Sequence, residues 1–136
     1  MSDPASGNVP PWEGSFGHVV GMRYLSMGSG EAQAELEIQP RHCNPNGVCH
    51  GGVIFAFADD SMGAAAFSVV PEGLVPTSVQ VNIHFIRSCR AGDRLRVETK
   101  VVAAGRKTAF LESRVLDARQ RLVALASGSY LFVEPR

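Results

Sequence analysis

Residues 51–69 constrain this chain more than any other stretch. Val53, Ile54, Phe55, Ala56, Phe57 and Ala58 are followed, after a short interruption, by Met62, Ala64, Ala65, Ala66 and Phe67. The run is too long for a strand and is expected to be a helix, apolar almost all round and buried on most sides. Its centre carries two adjacent carboxylates, Asp59 and Asp60. These charges argue against a bilayer span, which needs roughly 20 apolar residues. A helix of this kind has to be wrapped by the rest of the chain.

The remaining sequence reads as strands. Residues 19–27 and 31–38 form an expected hairpin about the Gly28-Ser29-Gly30 turn. In the second arm Ala32, Ala34, Leu36 and Ile38 alternate with Glu31, Gln33, Glu35 and Glu37, a pattern with one face to the core. Four further strand-like segments, 77–87, 94–103, 108–117 and 122–133, are separated by short polar turns. The expected fold class is α+β, a curved, mostly antiparallel sheet wrapped around one long central helix. The chain's 136 residues suit a single domain. Residues 1–14 are expected to be a flexible arm and residues 15–136 the domain. Open sheet edges call for a second copy, and a homodimer assembling into a homotetramer is expected.

Thirteen basic residues against thirteen acidic ones argue against a nucleic-acid partner. That balance hides a split. Residues 1–82 hold two arginines against eight carboxylates, a net of −6, and residues 83–136 hold eleven basic residues against five acidic ones, a net of +6. Such a division fits an anionic ligand gripped by the second half, and equally fits complementary packing of the two halves. Phosphate binding would fall to Arg87 and Arg90, or to Arg106 and Lys107 in a hairpin turn, although each of these singly reads as a solvated turn residue. The opening residues show no export signal and three cysteines are an odd count, so a cytoplasmic protein with neither membrane partner nor disulfide framework is expected.

A carboxylate away from water is costly unless it is paired, hydrogen-bonded or protonated, so the Asp59-Asp60 pair points to function. Neighbours on a helix diverge by about 100°, so at most one of the two is expected to face the core. At the helix start, His50-Gly51-Gly52 lets a ligand approach free backbone N–H donors, where the helix dipole favours developing negative charge. Gly51 and Asp59 are eight residues apart, about 12 Å along the axis, so one helix does not bring both onto one atom. His42, Cys43, Cys49 and His50 are metal-ligand types, but their spacing does not match the usual ligand pairs. No metal and no cofactor are expected, and the cysteines read as small buried hydrophobes.

The segment from His42 to Gly52, His-Cys-Asn-Pro-Asn-Gly-Val-Cys-His-Gly-Gly, followed by Ala58-Asp59, resembles the Asn-x-x-Gly-x-x-His-Gly-Gly…Asp signature of hotdog-fold acyl-CoA thioesterases. It is most similar to the phenylacetate-degradation (PaaI-type) subfamily and its mammalian relatives. Ser78-Val79-Gln80-Val81-Asn82-Ile83, Ala91-Gly92-Asp93 and residues 105–110 resemble theirs in order and spacing. The resemblance implies an enzyme hydrolysing aryl-acetyl-CoA or a related acyl-CoA, with sites at a dimer interface. By position, Asp59 matches the family carboxylate, acting as general base or as nucleophile. Gly51 matches the N–H that polarises the thioester carbonyl, Asn44 the amide that assists it, and Ser78 the hydroxyl that holds water. His50 shapes the loop and, with Gly52, joins Arg87, Arg90, Arg106 and Lys107 in the expected substrate and coenzyme A set. Asp60 has no family counterpart. Two alternatives remain: a non-catalytic acyl-CoA-binding module, and a hotdog dehydratase or hydratase, for which His50 and Asp59 lack the motif context.

Overall fold

The computed structural model describes residues 14–136, so the arm expected over residues 1–14 lies outside the described residues except for Gly14. A short helix α1 (Phe16–Val20) leads into strands β1 (Arg23–Gly28) and β2 (Glu31–Glu37), then a single 3-10 turn (Pro40–His42). The long helix α2 (Gly51–Phe67) follows, and then β3 (Val75–Phe85), β4 (Arg94–Ala104), β5 (Thr108–Leu116) and β6 (Leu122–Val133). The six strands form one antiparallel sheet in the order β1-β2-β4-β5-β6-β3. It curves around α2, which packs against every strand. This is the hotdog architecture.

The periodicities explain the core. On β2, Ala32, Ala34, Leu36 and, just beyond its end, Ile38 are all buried, and across the ladder they continue into Thr99, Val97 and Leu95 of β4. The opposite face pairs Glu31 with Lys100, Glu35 with Arg96, and Glu37 with Arg94. Ion pairs join Arg94 to Glu37 at 3.4 Å and Arg96 to Glu35 at 3.6 Å, and Arg23 also reaches Glu35. The −6/+6 split is therefore in part complementary packing of an acidic strand on a basic one. Arg87, Arg90, Arg106 and Lys107 are exposed and form no ion pair among the described residues. A chain of buried hydroxyls, Ser61 to Thr99 to Ser113, ties α2 to β4 and β5, with Ser61 and Thr99 oxygens 2.7 Å apart.

Several boundaries differ from the sequence reading. Residues 19 and 20 are helical, not the start of a strand. Ser15 caps α1, and Gly21 at φ 105° ends it with N–H bonds back to the Gly17 and His18 carbonyls. The long helix ends at Phe67, two residues early. Ser68 Oγ donates to the Ala65 carbonyl and accepts from the Gly30 N–H, both at 2.7 Å, so the helix end is pinned to the β1–β2 turn. The β3 segment lies two residues earlier than read, at Val75–Phe85, and carries a bulge between Ser78 and Gln80.

Candidate active site

The loop before α2 is held by its own polar groups. The Asn44 side-chain oxygen accepts from the N–H groups of Asn46 at 2.9 Å and Val48 at 3.3 Å, an Asx turn that keeps the Asn44 amide N–H donors outside the turn. His42 is buried and spends both ring nitrogens on main chain: Nδ1 accepts from Gln39 N–H at 2.9 Å, and Nε2 donates to the Val20 carbonyl at 2.7 Å. His50 is the N-cap of α2, its Nδ1 accepting from Gly52 N–H at 2.7 Å. The Gly52 donor is thus committed to His50. A side chain at Gly51 would stand 3.2 Å from the Phe85 ring, so glycine keeps the approach to the helix start open. Gly51 lines a groove of about 280 Å³ with Ile54, Phe85, Arg87 and Cys89. Arg90 bridges to Val48 beside it.

Two turns along α2, both carboxylates are half-buried, and each is held by a tyrosine from a different part of the sheet. The expectation that at most one would face the core is met, since neither is fully buried and both reach a groove. Tyr130 of β6 donates to Asp59 Oδ1 at 2.6 Å, and Tyr24 of β1 donates to Asp60 Oδ2 at 2.7 Å. The side chains diverge as their 100° separation requires, but a curved sheet offers cover on both sides. Burial pushes the Asp60 carboxyl above its ordinary range; the Tyr24 hydrogen bond opposes this and the Asp59 charge adds to it. Both tyrosine hydroxyls are pushed far up, first by burial, and remain neutral donors.

Asp59 and Asp60 open onto a second groove, of about 400 Å³, lined also by Phe67, Thr77, Ser78 and Tyr130. Ser78 lies directly across the β3–β6 ladder from Tyr130, at the bulge, a feature that commonly re-aims side chains near functional sites. Arg106 and Lys107 occupy the β4–β5 turn at the same end, where Phe132 N–H donates to the Lys107 carbonyl at 2.8 Å. One chain thus gathers the expected residues into two sets. Asn44, His50, Gly51, Gly52, Arg87 and Arg90 stand at the start of α2, by the Phe85 end of β3. Asp59, Ser78, Arg106 and Lys107 stand by its Val75 end. Tyr24 and Tyr130 were not singled out from the sequence. They meet the carboxylates across 36 and 71 residues, so no local pattern announces them.

A family model described as the thioesterase superfamily matches residues 46–124. A candidate esterase from Archaeoglobus fulgidus is 35% identical over 107 residues, covering 79% of this chain and 68% of that protein. The 1,4-dihydroxy-2-naphthoyl-CoA hydrolase of Listeria monocytogenes is 27% identical over 109 residues, covering 79% and 86%. Among solved structures, the PaaI protein of the E. coli phenylacetic acid degradation operon superposes with a TM-score of 0.81 at 27% identity, covering 86% of this chain and 83% of that one.

Proposed function

Since the chain belongs to the thioesterase superfamily, as a hotdog-fold member of the PaaI type, we propose that it hydrolyses acyl-CoA thioesters to the free acid and coenzyme A. The observation that carries this reading is Asp59, half-buried in an apolar helix, held by Tyr130 and facing a groove that Ser78 lines. In the proposed reaction Asp59 takes a proton from a water held by Ser78 as that water adds to the thioester carbonyl. The oxyanion is met by the Gly51 N–H at the positive end of α2 and by the Asn44 amide. Collapse of the intermediate breaks the C–S bond, and the thiolate leaves and is protonated. Thiolates leave readily, so a base and an oxyanion stabiliser suffice without a metal.

Two copies are needed to bring these groups together. β3 is an edge strand, with Val79 66% and Phe85 56% exposed. Pairing β3 with itself about a two-fold axis sets the Val75 end of one strand beside the Phe85 end of the other. Asp59 and Ser78 of one copy would then face Gly51 and Asn44 of the next. The same pairing would draw Arg106 and Lys107 of one copy toward Arg87 and Arg90 of the other, a basic frame for the phosphates of coenzyme A. In the proposal, such dimers pair into a homotetramer.

The test is release of free thiol from phenylacetyl-, benzoyl-, hexanoyl- and palmitoyl-CoA by the purified protein, with and without chelator. Turnover of at least one thioester, unchanged by chelator, is expected. Binding without turnover would favour an acyl-CoA-binding module, and loss in chelator with recovery on adding zinc would overturn the metal-free mechanism.

A further inference from the structure

Tyr130 is a large polar side chain placed by the fold against the one carboxylate that the proposed reaction uses. It is 3% exposed, on the inner face of β6. Its hydroxyl lies 2.6 Å from Asp59 Oδ1 and 3.1 Å from the Asp59 main-chain oxygen. One donor therefore ties the Asp59 side chain to its own stretch of helix and limits its rotation. The ring has a built slot. A side chain at Gly128 would stand 2.9 Å from Tyr130 Cε1 and 3.3 Å from the end of Met62, so only glycine two residues earlier on the strand admits the ring. Across the ladder the partner of Tyr130 is Ser78, whose Cβ stands roughly 5 Å away in such a pair. Tyr130 thus bonds one member of the half-site, Asp59, and stands across the ladder from the other, Ser78.

We propose that Tyr130 is a positioning residue for Asp59: its hydroxyl holds Oδ1 in place and leaves Oδ2 as the oxygen presented to the water beside Ser78. This inference rests on the reading of Asp59 as the catalytic carboxylate. In the proposal Tyr130 acts through Asp59 and takes no proton itself. A carboxylate already fixed in the reactive orientation loses little freedom on reaching the transition state, so the hold acts on kcat.

The experiment compares Tyr130→Phe, which keeps the ring and removes the donor, with Asp59→Asn and with the double variant. The assay uses whichever of the four thioesters the wild type turns over fastest. Tyr130→Phe is expected to lower kcat about 10- to 100-fold with KM within about twofold, and to lower it no further in the Asp59→Asn background. A structural role alone would lower activity by a similar factor in both backgrounds, and that result overturns the proposal. So does a Tyr130→Phe variant with wild-type kcat. Gly128→Ala retains the hydroxyl but displaces the ring, and it should lower kcat in the same way should Tyr130→Phe fail to fold; unchanged kcat there contradicts the proposal. A readout independent of turnover is the Asp59 χ1 angle in crystals of the variant: several conformers are expected, and a single wild-type conformer overturns the hold. If Asp59→Asn keeps full activity, the reading of Asp59 has failed, and the χ1 readout still decides whether Tyr130 holds it.

Discussion

Asp59 and Asp60 share a helix turn, a groove and a tyrosine partner each, yet they are expected to behave differently on substitution. Asp59→Asn removes the proposed base and should lower kcat on the order of 10²- to 10⁴-fold with the fold retained. Asp60→Asn keeps an oxygen for the Tyr24 hydroxyl and should cost less than about tenfold. Equal losses would show that the wrong carboxylate has been assigned. Stability should respond in the opposite sense. The Asp60 carboxyl is raised in the folded chain, so the native state holds a proton that the unfolded state has released, and stability falls as pH rises through that window. Asp60→Asn removes this fall. Its melting temperature should exceed that of the wild type at pH 7, and the gain should disappear below about pH 4, where the unfolded chain is protonated as well. A gain that grows toward acid pH would contradict the assignment.

At the scale of elements, the start of α2 separates two jobs that lie next to each other in sequence. His50 caps the helix through Gly52, whereas Gly51 keeps the approach to its end open. His50→Ala should therefore destabilise the protein by about 1 kcal/mol, as other N-cap losses do, seen as a lower denaturant midpoint. Gly51→Ala should melt near the wild type and lose activity, because its added methyl crowds the Phe85 ring and narrows that approach. The elements legible in the sequence were those with a long period. β2 alternates through seven residues, β6 runs twelve between turn formers, and α2 is apolar over four turns, so each was readable within two residues. The five residues of α1 span little more than one turn, and its Gly21 cap is visible only as a backbone angle. The candidate site was legible in the same uneven way. Asn44, His50, Gly51 and Asp59 fall within sixteen residues of sequence and form one readable motif. Tyr130 reaches Asp59 only because β6 curls over the helix, and the same curling gives Asp60 a partner in β1.

The whole molecule explains why the motif looks incomplete in one copy. The residues that would polarise the thioester and the carboxylate that would activate water stand at opposite ends of β3, an edge strand with exposed apolar side chains. In the proposed pairing, a second copy would close the edge and unite the two sets in the same step. If so, damage to one set in one chain is repaired by the intact set in its partner. The most direct test mixes two inactive proteins, Asp59→Asn and Asn44→Asp. The second keeps the oxygen that shapes the loop and removes the amide donors. Mass measurement first establishes that subunits exchange, and thiol release from an acyl-CoA is then followed in the mixture. One of the two sites in a mixed dimer receives two intact halves, so activity should return to as much as about half that of the wild-type dimer. Mixed dimers that stay at the level of their parents would mean that each chain carries its own complete site.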